Sequence, residues 1–127
     1  MNEDARELTV IGLGGGGCHI AATLAELATD DTDWQLLAAD TDTESLKHVQ
    51  GVERVALGQE WVKNEGCGGD AVLGERATSA SADELKRLLQ GSRMVIVTAG
   101  LGGGTSSGGV RVLARLLREM EVVSLFV

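Results

Sequence analysis

Two glycine runs do most to limit what this chain can fold into. Gly12, Gly14, Gly15, Gly16 and Gly17 fall within IGLGGGGC, and Gly100, Gly102, Gly103, Gly104, Gly108 and Gly109 fall within GLGGGTSSGG. A third cluster, GCGG, holds Gly66, Gly68 and Gly69. These three stretches take most of the 18 glycines of a 127-residue chain that has no proline. Without proline or a G-X-Y period, neither a collagen helix nor a proline-rich linker is possible. Each main run stands between an apolar, β-branched segment and a segment with helical spacing. Residues 8–13 (LTVIGL) and 93–98 (RMVIVT) read as buried strands.

The remaining segments fit the same alternation. After the first run, Ile20, Leu24 and Leu27 recur at helical intervals and predict a helix with that face inward. Residues 34–39 (WQLLAA) read as a second strand, stopped by Asp40. A short helix is expected over 43–48, a short strand over 54–57 and a helix over 70–80. Ser81-Ala-Asp-Glu84 has the form of a capping box. It opens a helix with Leu85, Leu88 and Leu89 on one face and Gly91 as its stop. After the second run, Val112, Leu113, Leu116, Leu117 and Met120 form an apolar stripe, with Arg111, Arg115 and Arg118 on a solvated face. Residues 122–127 (VVSLFV) form a last strand. The expected fold is a single three-layer α/β domain, a Rossmann-like parallel sheet with helices on both faces and right-handed crossovers. With one Phe and no Tyr, its core has to be Leu, Val, Ala and Ile.

The net charge of −8 argues against a nucleic-acid partner. The acidic start, MNEDARE, is not a signal peptide, and no apolar run is long enough for membrane insertion. A cytoplasmic protein is expected. Cys18 and Cys67 lie too far apart for a zinc motif and do not make a disulfide framework; no ligand spacing joins them to His19 or His48. Asp30, Asp31 and Asp33 read as a solvated turn.

The glycine runs carry the chemistry. Open α/β sheets bind ligands at the carboxyl ends of their strands. Glycine there lets a ligand approach the backbone, and successive amides form an anion-binding concavity. The following helix adds its positive end. Two such turns on neighbouring strands suit a polyphosphate. Thr105, Ser106 and Ser107 can donate to phosphate oxygens or cap the following helix. No Gly-Lys pair exists, so a P-loop is excluded, and no lysine stands in the glycine loops. The counter-charge is expected from amides, helix ends and Mg²⁺ carried by the nucleotide, and no residue is assigned as a metal ligand. Residues 12–17 also match G-x-G-x-x-G, with Asp40 at roughly the 20-residue distance of a ribose-binding acid. An NAD-type oxidoreductase domain is therefore an alternative, although it leaves GLGGGTSSGG unexplained.

GLGGGTSSGG resembles the glycine-rich signature of the FtsZ/tubulin family, Gly-Gly-Gly-Thr-Gly-Thr-Gly. IGLGGGGCHIAATL, AADTDTESL and GCGGDAVLG are similar, in order and spacing, to the first three nucleotide loops of FtsZ, and the likeness runs over residues 8–127. The resemblance implies a GTPase-type domain that binds GTP or GDP with Mg²⁺ and serves cytoskeletal filament assembly in cell division, with FtsZ-like subunits as partners. By position, Gly14, Gly15, Gly16 and Gly17 would lie against phosphates, with Cys18 and His19 near the nucleoside. Asp40 and Asp42 would lie near the phosphates and their metal, and Gly68 and Gly69 near the γ-phosphate. Gly102, Gly103, Gly104, Thr105, Ser106, Ser107 and Gly108 would wrap the phosphates. Some positions depart from the family. Cys18-His19 replaces Gly-Asn, Ala71 and Val110 replace Pro, and Ser106 puts a side chain where the family has glycine. At a positive φ that serine would cost about 1 kcal/mol. The family's base-stacking residues, ribose contacts, central helix and hydrolytic loop would lie beyond Val127. Residues 1–127 are thus expected to be the front portion of such a domain, without a catalytic residue and inactive in hydrolysis alone. A further alternative is a non-catalytic fragment that modulates FtsZ-like polymers.

Overall fold

The computed structural model describes residues 6–62, 66–100 and 102–127, apart from the side chain of Trp61. Five strands alternate with six helices. They are β1 (Arg6–Leu13), α1 (Gly14–Leu27), β2 (Trp34–Asp40), α2 (Thr43–Leu46), β3 (Glu53–Ala56), α3 (Gln59–Val62), α4 (Ala71–Ala80), α5 (Ala82–Leu89), β4 (Ser92–Ala99), α6 (Gly104–Glu119) and β5 (Val123–Phe126). The sheet is wholly parallel, in the order β3-β2-β1-β4-β5. This confirms the expected three-layer α/β class. Strand order reverses between β1 and β4, which is where an open sheet of this class leaves a crevice. The register sets Leu13 level with Ala39 on one side and Ala99 on the other. The loops leaving β1, β2 and β4 therefore start from one height.

The main core packs Ile11, Leu13, Leu37, Val55, Leu57, Leu85, Leu89, Val95, Val97, Leu113 and Leu117, all at most 1% exposed. It is aliphatic, as the composition requires. At an apolar burial value of about 25 cal/mol per Å², this cluster supplies the driving force that holds α5 and α6 against the sheet. Gly91 follows α5 with φ +87, the left-handed conformation that ends a helix. Among the described residues no helix is long and apolar enough to cross a membrane.

Two local expectations are corrected. First, α1 does not bury its Ile20, Leu24 and Leu27 stripe: Ile20 is 45% exposed and Leu27 71% exposed. Its buried face is Gly14, Gly17, Cys18 and Ala21. The cause is close packing of backbone on backbone. A Cβ on Gly12 would run into the Gly17 carbonyl, and one on Gly17 would run into the Thr98 carbonyl. The same device seats α4 on α6, where a Cβ on Gly108 would strike the Ala71 carbonyl and one on Gly74 the Gly104 carbonyl. Second, Ser81 does precede α5, but its hydroxyl makes no cap. It accepts instead from the Gly58 amide at 2.9 Å, tying the start of α5 to the β3–α3 turn.

Candidate functional site

A cavity of about 290 Å³ opens at the carboxyl end of the sheet. Its wall comes from all four loops: Gly14 and Gly15 from the first, Asp40, Thr41, Asp42 and Ser45 from the second, Gly66, Cys67 and Gly68 from the third, and Gly103, Gly104, Thr105 and Ser106 from the fourth. Four helices begin beside it. α2 is capped by Asp42, whose Oδ1 accepts from the Glu44 and Ser45 amides at 3.1 Å each. α4 is capped by Asp70, which accepts from the Val72 and Leu73 amides at 3.0 and 3.2 Å. α1 and α6 begin at Leu13 and Gly103 with no side-chain cap. Their first amides and the positive ends of their dipoles are left for something else.

Side chains lock the loops together. Ser106 donates to the Leu13 carbonyl at 3.1 Å, joining the fourth loop to the first. Ser106 is helical and not at positive φ, the one described non-glycine with positive φ being Glu121. The strain expected at Ser106 is therefore replaced by a hydrogen bond. Its hydroxyl also occupies the space that a Cβ on Gly14 (φ +75) would need. Thr105 does not cap α6, because the N-cap is Gly103. Instead the Thr105 and Thr41 hydroxyls pair at 2.7 Å, and the Cys67 thiol donates to Thr41 at 3.4 Å. Thr105 also reaches the Cys67 sulfur at 3.7 Å and, against the effect of burial, its hydroxyl helps to lower the Asp40 carboxyl. One buried polar chain thus links the second, third and fourth loops, and the Gln59 amide supports it by donating to the Thr41 carbonyl at 3.1 Å.

The acids differ in state. Burial holds the Asp40 carboxyl above its ordinary value, against the pull of hydrogen bonds from the Asp42 and Thr41 amides. The Ser45 amide and hydroxyl hold Asp42 below the usual range. Burial, with the Asp40 charge behind it, pushes the Cys18 thiol up to about 12.

The structure brings together Gly14, Gly15, Asp40, Asp42, Gly68, Gly103, Gly104, Thr105 and Ser106 of the expected set. It separates the others from the cavity wall. Gly17 and Gly108 are buried in helix packing, Gly16 abuts Gly100, and Gly69 and Gly102 are exposed on their loops at positive φ. Ser107 lines a neighbouring apolar cleft with Val110 and Phe126. His19 lines a separate cleft with His48 and Glu26. Cys18 is buried beneath the sheet end and donates to the Ala39 carbonyl at 3.5 Å, so it forms no pair with Cys67. Sequence reasoning missed Thr41 and Ser45, and it placed Gly66 and Cys67 on the third glycine loop without assigning them to the site. Thr41 had a signal, since it lies between the two acids of the second loop.

A parallel sheet with glycine loops at the reversal of its strand order defines a Rossmann-like α/β domain. Residues 7–127 match the Tubulin/FtsZ family, GTPase domain, and the chain belongs to that family. It is 36% identical over 127 residues to cell division protein FtsZ 1 of Archaeoglobus fulgidus, covering all of this chain and 34% of that protein. It is 35% identical over 118 residues to FtsZ 1 of Pyrococcus furiosus, covering 93% of this chain and 31% of that one. Among solved structures, an empty FtsZ dimer from M. jannaschii superposes with TM-score 0.87 at 30% identity, over 95% of this chain and 35% of that one. CetZ2 from Haloferax volcanii, a GTPγS-bound protofilament, gives 0.81 at 30% identity, over 94% and 39%. The chain spans about a third of the length of the curated relatives it matches. Family membership sets aside the oxidoreductase alternative and gives both glycine runs one explanation.

Proposed function

We propose that this chain binds GTP and GDP through the four-loop cavity, as the front portion of a cytoplasmic FtsZ-like filament subunit serving cell division. The observation that carries this reading is the convergence of two uncapped helix N-termini, α1 and α6, on one cavity walled by glycine. Amides from Gly14, Gly15, Gly103, Gly104, Thr105 and Ser106 are suited to phosphate oxygens. A Cβ on Gly15 would meet nothing within 4 Å, so that backbone faces open space a ligand can fill.

The donor set bears on Mg²⁺. Asp42 is committed to α2, Asp40 accepts from two amides, and no group of three His, Cys, Asp or Glu among the described residues could hold a metal ion. This fits a cation that arrives on the phosphates and supplies charge neutralisation there. No residue is assigned as an acid, base or nucleophile, and negligible GTP turnover by the purified chain is expected. Association with FtsZ-like subunits belongs to the same proposal.

Thermal-shift measurements with GTP, GDP, ATP and NAD, each with and without Mg²⁺, test the reading. Stabilisation by guanine nucleotides supports it. Stabilisation by NAD with no response to GTP or GDP overturns it.

A further inference from the structure

Asp40 is an anion built into a cradle for anions. It ends β2, is 5% exposed and lines the cavity opposite the uncapped starts of α1 and α6. Its Oδ1 accepts from Thr41 N at 2.8 Å and Asp42 N at 3.3 Å, which fixes the carboxyl group in place. Among the described residues lining the cavity there is no Lys, Arg or His.

Among the described residues, the groups around it are neutral or negative. Asp42 adds a second charge from its own loop, committed to α2. From α1 the Cys18 thiol faces it, and the third loop brings Cys67. α6 contributes the Thr105 hydroxyl. Asp70, at the start of α4, is occupied by two amides. A phosphate entering this cavity meets a fixed carboxylate in a partly water-excluded place, and like charges there repel far more than in water.

We propose that Asp40 couples phosphate binding to proton uptake, one proton from solvent being held between its carboxyl oxygen and a phosphate oxygen when the cavity fills. This rests on the nucleotide reading above. The proton sits on Asp40 and is donated to the phosphate, or sits on the phosphate and is donated to Asp40. In both cases one proton leaves solvent for each phosphate bound, and no other bond is made or broken. The burial that holds the Asp40 carboxyl high works in the same direction. Nucleotide affinity then falls as pH rises, and Asp40 sets the steepness of that fall.

Calorimetric titration of GDP into the chain near neutral pH, in buffers of different ionisation enthalpy, counts the protons directly. It is run with EDTA and again with Mg²⁺, and on Asp40→Asn beside the wild type. Asparagine keeps an acceptor for the Thr41 and Asp42 amides, and circular dichroism checks that the variant is folded. The nucleotide's own titration is common to both proteins and cancels in the difference. The expected result in EDTA is up to one more proton taken up by the wild type than by the variant. Several-fold tighter GDP binding by Asp40→Asn at pH 8 is also expected. The wild type alone should lose affinity by up to tenfold per pH unit beyond any loss from the free nucleotide. An excess seen in EDTA and suppressed by Mg²⁺ still supports the proposal, with the cation replacing the proton. Equal proton uptake by the two proteins in EDTA, or weaker binding by folded Asp40→Asn, overturns it while leaving the nucleotide reading standing. No binding of GDP to either protein overturns both.

Discussion

Two of the helices that start beside the cavity are closed by their own side chains, and two are not. α2 and α4 are short, and Asp42 and Asp70 each take up two of their first amides. α1 and α6 are the longest helices of the chain, with 14 and 16 residues, and each starts bare. At α6 the N-cap Gly103 could have carried an Asp, a change worth about 1 kcal/mol over an uncapped start, whereas the N-cap of α1, Leu13, is given to the core. The starts of α2 and α4 are closed by their own carboxylates, while the first turns of α1 and α6 stand at the cavity without a side-chain cap. Capped and uncapped helix starts thus lie side by side, distinguishable by whether the first turn is already satisfied.

The largest expected effect comes from removing the packing that holds the bare helices in place. Gly12→Ala or Gly17→Ala puts a methyl into backbone. A loss of about 3 kcal/mol or more is expected, toward the upper end for overpacking, read as a lower urea midpoint. Near-wild-type stability would mean that α1 has freedom to withdraw and is not held where its amides meet the cavity.

The next test converts a bare helix into a closed one. Gly103 has φ −81 and ψ 145, so it accepts a side chain, and a Cβ there comes no nearer than 3.5 Å to Ser106 Oγ. Gly103→Asp should cap α6 and place a carboxylate where phosphate would bind. GTP affinity is expected to fall about 100-fold, roughly 2.7 kcal/mol, while thermal stability holds or rises slightly. A stable variant with unchanged affinity would erase the distinction between the two kinds of helix start.

Thr105→Val removes the hydroxyl that joins Thr41 and Cys67 but leaves the helix start bare. A loss of about 1–2 kcal/mol from the unpaired buried partners is expected, measured by denaturant unfolding. The smallest effect is on the closed side. Asp42→Ala should cost about 1 kcal/mol at neutral pH through the lost α2 cap. The Ser45 amide and hydroxyl hold that carboxyl below its ordinary value. Its stabilisation is therefore present above the unfolded carboxyl value and lost as pH falls through the lower folded one. The gap between variant and wild type should narrow as pH falls below the ordinary carboxyl range; a gap that stays constant from neutral pH into acid would assign the stability to something other than the charge.

Much of this was readable before the structure. The five strands, the parallel class and the meeting of two glycine runs on neighbouring strands follow from β-branched runs, helical spacing and glycine at their junctions. The glycines themselves were only half readable. Gly15 and Gly103 serve the cavity, while Gly12, Gly17, Gly74 and Gly108 serve close packing. The letter is the same in both uses, and the neighbouring backbone that separates them is distant in sequence. The α1 stripe misled for the same reason: Ile20 and Leu27 look like a core face, but smaller residues allow a closer approach. Ser81 has the local pattern of a cap, and a tertiary partner, the Gly58 amide, took its hydroxyl instead. Thr41 and Cys67 meet each other and Thr105, partners that lie far apart along the chain.

The unlike surroundings of the two cysteines have a practical consequence. Cys18 is 2% exposed, with its thiol pushed up to about 12, so almost none of the reactive thiolate exists at neutral pH. Cys67 is also buried, at 8% exposure, but it stands in the cavity wall, so a reagent reaches it only through the cavity. A maleimide dye added to the native protein should attach at a single position, and its rate of attachment should slow as phosphate-bearing ligand accumulates. Labelling at Cys67 would then serve as an occupancy gauge without an engineered label site.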